Sequence, residues 1–120
     1  MGNFNNLEVW KESRQLAVKV YVVTNKGSFI KDYSLKDQIR RSAISVPSNL
    51  AEGEESGSQK LSIKHFFIAK ASLAELRTQY EIANDIGYVD TREYSALMEN
   101  MTSLSKRITR LIQHRQKLIK

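Results

Sequence analysis

Acid–base or metal chemistry in this 120-residue chain has two histidines to work with, His65 and His114, and no cysteine. The missing thiols exclude disulfides, zinc–thiolate sites and thiol catalysis. A di-metal carboxylate site in a helical bundle needs Glu three residues before each His; Ser62 and Leu111 stand there instead. A Ser/His/Asp triad is open by composition, but both histidines sit in segments rich in solvent-facing charge. No Gly-rich phosphate motif occurs. Glu52, Glu54 and Glu55 read as the solvated acidic end of a helix, unfavourable beside the helix dipole, with Glu52 held by a base such as Arg41. The expectation is a protein without catalytic residues, metal, cofactor or small-molecule substrate.

The cations give a different signal. The net charge is +6, and residues 106–120 hold six bases and no acid. At ~100° per residue, Lys106, Arg110, Gln113, Lys117 and Lys120 share a sector ~80° wide. It lies opposite Leu104, Ile108, Leu111 and Leu118, with Arg107 and His114 at its flanks. Such a stripe attracts a phosphate backbone through counterion release. A solvated helix face reads equally well, because cations are favourable at a helix C-terminus. No aromatic is interleaved, so base stacking is not indicated there. Arg40, Lys36 and Lys64 could extend the surface. Arg107 and His114, separated by six residues, formally resemble the Arg-x(4–6)-His element of HEPN-class ribonucleases. Two surface residues two turns apart is the plainer reading, since apolar Ile108 follows Arg107.

Four helices must position these residues. Trp10, Ser13, Ala17, Val20 and Thr24, widened by Leu16 and Val23, mark a first helix over about 7–26. Asn5 or Asn6 is its candidate N-cap, and Gly27 its stop. The second, about 35–53, starts at Ser34 with Asp37 in a capping-box-like pair. Leu35, Ile39, Ala43, Val46 and Leu50 keep its stripe in phase across Pro47, which predicts a kinked but continuous helix ending at Gly53. The third, about 59–86, is apolar over much of its circumference from Phe66 to Ala74, more than one buried face requires; a second subunit is the natural cover. Gly87 closes it. Asp90 and Glu93 cap the fourth, about 91–117, whose seam is Tyr94, Leu97, Met101, Leu104, Ile108, Leu111, Arg115 and Leu118, with Arg115 the one fault.

The fold expected is an all-α, antiparallel up-down-up-down four-helix bundle in one domain over 1–120. Hydrophobic residues at 41% and charged ones at 27% fit a globular core rather than disorder. No apolar run approaches the ~18–20 residues of a membrane helix, and the polar start Met1–Asn6 is not a secretory signal; the cytoplasm is the default location.

Two segments carry a family pattern. One is Trp10-Lys11. The other is Gln38 to Gly53, containing Arg41-Ser42-x-x-Ser45-Val46-Pro47-x-Asn49-Leu50-Ala51-Glu52-Gly53, followed by Phe67 to Leu76. Together they resemble the four-helix-bundle proteins encoded in intervening sequences of bacterial 23S ribosomal RNA genes, and are similar to the accessory protein of diversity-generating retroelements. Ala71 departs from the pattern, where relatives commonly place Gly. The resemblance implies a homopentameric barrel and a non-catalytic accessory role in binding RNA or DNA. Carried over by position, it points to Arg41, Ser45, Asn49 and Glu52 as a polar network at a helix or subunit junction, with Pro47 setting the kink. A protein-interaction adaptor using the third helix is the rival reading.

Overall fold

Four hydrophobic stripes at helical spacing close around one another in the computed structural model, which describes residues 3–119. The helices are α1 (Glu8–Val23), α2 (Tyr33–Glu55), α3 (Gln59–Asp85) and α4 (Thr91–Lys117), with 3-10 turns at Phe4–Asn6 and Gly27–Lys31. No strand occurs among the described residues. The fold is an all-α four-helix bundle, drawn out to 50 × 21 × 19 Å. Cross-helix bonds show two pairs running antiparallel: Glu12 of α1 meets Arg107 and Lys26, just past α1, meets Glu93 of α4, while Gly53 and Ser45 of α2 meet Ser62 and Ser72 of α3.

The core is Leu16 and Val20 from α1, Ile39, Val46 and Leu50 from α2, Phe66, Leu73 and Leu76 from α3, and Met101 and Ile108 from α4. Each such side chain contributes about 1.5–3 kcal/mol on leaving water. The α4 stripe drifts at its C-terminal end, where Ile112 is buried, Leu111 half-buried and Leu118 exposed. A 3.6-residue helix moves off a strict 3.5-residue seam in this way.

Chain ends and turns differ from the sequence expectation in instructive places. The α1 N-cap is Leu7, which makes no side-chain cap bond, while Asn3 caps the preceding 3-10 turn through Asn5 N. α2 begins before Ser34, because Asp32 accepts from Leu35 N at 3.1 Å. Its second oxygen takes the Tyr88 hydroxyl at 2.9 Å, a bond that raises the phenol's pKa. Tyr88 meets buried Phe29 edge-on at 5.2 Å, so the α1–α2 and α3–α4 connections are pinned together. After α3, Gly87 at φ 81° allows the Schellman pair of Tyr88 N to Ala83 O at 2.9 Å and Gly87 N to Asn84 O at 3.1 Å.

Pro47 does not break α2, which continues beyond Gly53 to Glu55. Gly53 is an approach point rather than a stop. A Cβ there would meet Phe66 Cε1 at 2.9 Å and the Ser62 carbonyl at 3.1 Å. Ser62 Oγ donates to the Gly53 carbonyl at 2.6 Å. The glycine therefore lets α3 lie directly against α2.

Candidate nucleic-acid interface

Because Leu97, Met101, Leu104, Ile108 and Ile112 turn α4 inward, Lys106, Arg110 and Lys117 must face out. All three are exposed and, among the described residues, make no hydrogen bond or ion pair. Of the other cations singled out in the sequence, Lys64 is exposed, Lys36 Nζ reaches the Ile30 carbonyl at 3.4 Å, and Arg107 and Arg40 are committed elsewhere. Arg107 is paired with Glu12 across the α1–α4 seam. Arg40 Nε donates to buried Thr24 Oγ1 at 2.8 Å and Nη2 reaches the Tyr21 carbonyl at 3.4 Å, with the guanidinium 4.4 Å from the Tyr21 ring centroid. That arrangement closes the C-terminal end of α1, where helix carbonyls lack internal partners. Lys120 lies outside the described residues, as do Met1 and Gly2. His114 is exposed.

Arg115 is the largest departure from a solvated basic stripe. It is 9% exposed and Glu54 only 7%. Nη1 lies 2.9 Å from Glu54 Oε1, Nη2 donates to Oε2 at 3.2 Å, and the guanidinium sits 5.4 Å from the Phe66 ring centroid. Glu54 is thus no member of a solvated acidic end; it fastens the α4 terminus to the α2–α3 hairpin. The seam position of Arg115 was a legible signal, since a charge at a core position requires a buried counter-charge.

The motif residues of α2 fall into two places. Ser45 Oγ lies 2.8 Å from Ser72 Oγ; Asn49 Nδ2 donates to the Ser45 carbonyl at 2.9 Å and to its hydroxyl at 3.1 Å. Asn49 Oδ1 is 3.1 Å from His65 Nδ1, and Glu52 Oε2 is 3.5 Å from the same nitrogen. The Asn49 amide therefore stands between the Ser45 hydroxyl and the imidazole, and the bond it accepts assigns the His65 proton to Nδ1. Ser72, inside the Phe67–Leu76 part of the pattern, and His65, outside it, are members beyond the four expected network residues. Arg41 stands apart: it is exposed beside a shallow groove with Tyr21, Asp37 and Ile44, and no bond among the described residues ties it to the others.

Two further surface features accompany these. α1 and α4 touch least of the adjoining helix pairs, and their seam opens into a cleft of 210 Å³ with Gln15, Lys19, Asn100 and Ser103 on its walls. Among the apolar side chains that face solvent, two groups stand out: Val18 (60%), Val22 (61%), Tyr21 and Ile44 on α1–α2, and Phe67, Ile68 and Ile82 on α3 with Ile86 at its C-cap. Among the described residues no cluster of His, Cys, Asp and Glu could hold a metal ion, and no helix is long and apolar enough to cross a membrane.

Comparison with known proteins gives two results. The sequence model of the 23S rRNA-intervening sequence proteins matches residues 5–110. Among solved structures, a protein of unknown function from the S23 ribosomal protein family of Bacteroides thetaiotaomicron superposes with a TM-score of 0.79 at 23% identity, covering 87% of this chain and 97% of that one. At that identity the likeness speaks for the fold. No curated protein matches the chain at a significant level.

Proposed function

This chain belongs to the 23S rRNA-intervening sequence protein family, and on that premise we propose that it is a non-catalytic, self-associating accessory protein that binds RNA through the outward face of α4. The observation that carries the reading is the set of unpaired cations Lys106, Arg110 and Lys117. Eleven positions of helix place the outer two about 16 Å apart. Free lysine and arginine side chains in that array release phosphate counterions on contact. Paired Arg107 and Arg115 do not, and Arg40 is already spent on α1. The family's link to ribosomal RNA genes favours RNA over DNA as partner. A non-catalytic role is supported by Asn49, which separates a hydroxyl from the imidazole, and by Glu12, which holds Arg107 away from a partnership with His114.

Self-association is supported by the two apolar surfaces. They lie on different helices and are unlike each other. Contact between unlike faces of successive copies forms a ring when the rotation closes, and the pentamer implied by the motif resemblance is one such closure. Repeating the α4 patch around a ring multiplies a weak contact through avidity. The adaptor reading, expected on the third helix, has a second candidate surface: the α1–α2 face combines Tyr21, Arg40 and Arg41 with exposed aliphatics, a composition common at protein hot spots.

Light scattering and fluorescence anisotropy against single-stranded RNA, duplex RNA and DNA over a salt series separate the readings. The expected result is a multimer whose affinity for RNA falls steeply with salt. A monomer that ignores all three nucleic acids overturns the proposal, and salt-insensitive capture of a protein partner instead supports the adaptor.

A further inference from the structure

The α1–α4 cleft has a chemistry that neither the phosphate contacts nor the packing uses. Two ion pairs bracket the seam, Glu12 with Arg107 at one end and Lys26 Nζ with Glu93 Oε2 at 2.9 Å at the other. Between them Gln15 and Lys19 face Asn100 and Ser103, and among the described residues none of these four has a hydrogen-bond or ion-pair partner. Buried Leu16 and Leu104 form the floor. The volume, 210 Å³, is below the ~300–1,000 Å³ typical of drug-sized pockets and suits one flat heterocycle.

The functional groups decide what kind of ligand fits. A phosphate calls for donors alone, and a metal ion for acceptors alone. Here amides supply both, a hydroxyl supplies either, Lys19 supplies a cation, and Glu12, whose Oε1 is taken by Arg107, has its second oxygen left to accept. A nucleobase edge needs such a mixture over an apolar floor. Guanine fits best, because its adjacent N1–H and N2–H groups match the remaining Glu12 oxygen and an amide oxygen, while O6 accepts from an amide or ammonium. The cleft also adjoins the proposed phosphate face, since Ser103 and Arg107 alternate along α4 with Lys106 and Arg110.

We infer that the α1–α4 cleft is a binding site for an unpaired guanine base, with Glu12, Gln15, Lys19 and Asn100 reading its edge. The strand that delivers the base rests on the RNA-binding reading; the pocket itself does not. In this division the α4 cations position the backbone and the cleft supplies selectivity, as protein recognition of single-stranded RNA commonly works.

The side-chain amides of Gln15 and Asn100 are direct reporters in a ¹⁵N-labelled chain. GMP is expected to shift both, with UMP as the control for ribose and phosphate. The heptamer UUUGUUU is expected to bind on the order of ten-fold tighter than UUUUUUU. Gln15→Ala with Asn100→Ala, both at exposed positions, should erase that difference and leave UUUUUUU binding intact, whereas Lys106→Glu should weaken both heptamers alike. If GMP leaves the amides unmoved and the heptamers bind equally, the cleft is not a guanine site and the RNA-binding reading still stands. If GMP shifts the amides but neither heptamer binds, the cleft stands and the RNA-binding reading fails.

Discussion

At the scale of single residues, buried charge and close approach matter most. Glu54 and Arg115 are both nearly excluded from water and meet face to face, so removing one leaves the other buried and unpaired. Arg115→Met alone is expected to cost about 3–5 kcal/mol in urea unfolding, and Glu54→Leu added to it should recover most of that loss. Gly53→Ala tests the α2–α3 contact. The alanine gains ~1 kcal/mol of helix propensity but places a methyl 2.9 Å from Phe66, and overpacking of about 1–3 kcal/mol should win, lowering the urea midpoint. These two sites show where reading the sequence stops. Periodicity located Arg115 on the inner seam, yet the partner that makes it tolerable lies 61 residues away, which no local pattern encodes. Gly53 carried a helix-stop signal, and its tertiary use overrode that signal.

At the scale of elements, the four helices were legible because each carries an apolar stripe at helical spacing. Their junctions were less so. The start of α2 depended on Asp32 rather than Ser34, since the first side chain to reach a free backbone N–H sets the cap. The turn at Gly27–Lys31 went unread because only tertiary burial of Phe29 explains it. Asp90 was legible as a cap, and it accepts from Glu93 N at 2.8 Å. That backbone hydrogen bond, with further help from the Glu93 side chain, lowers the carboxyl pKa below 3.8. A pKa depressed in the folded state stabilises above the unfolded value and loses the benefit as pH falls through the folded one. Wild-type stability should therefore exceed that of Asp90→Asn above pH 3.8, and the gap should close on further acidification. Thermal melts of the pair over a pH series measure it; a gap independent of pH would remove the charged cap from the account.

At the scale of the whole molecule, charge that looks continuous along the chain is divided by folding into free and committed cations. The sequence shows six bases between 106 and 120, but partner acids on α1 and α2 take Arg107 and Arg115 out of the array. The proposed self-association rests on exposed apolar surface: the α3 excess of apolar residues was legible from the run Phe66 to Ala74, whereas the α1–α2 patch was not, because Val18, Tyr21 and Val22 blend into the stripe of a short helix. The decisive measurement is the slope of log affinity against log salt for single-stranded RNA, compared between wild type and Lys106→Glu/Arg110→Glu/Lys117→Glu. Three phosphate contacts per chain predict a wild-type slope of about −2 for each chain engaged. The triple variant should lose the slope together with most of the affinity, while Arg40→Gln, whose cation is already bonded, should keep it. A triple variant that binds RNA with the wild-type slope would contradict the placement of the interface on α4.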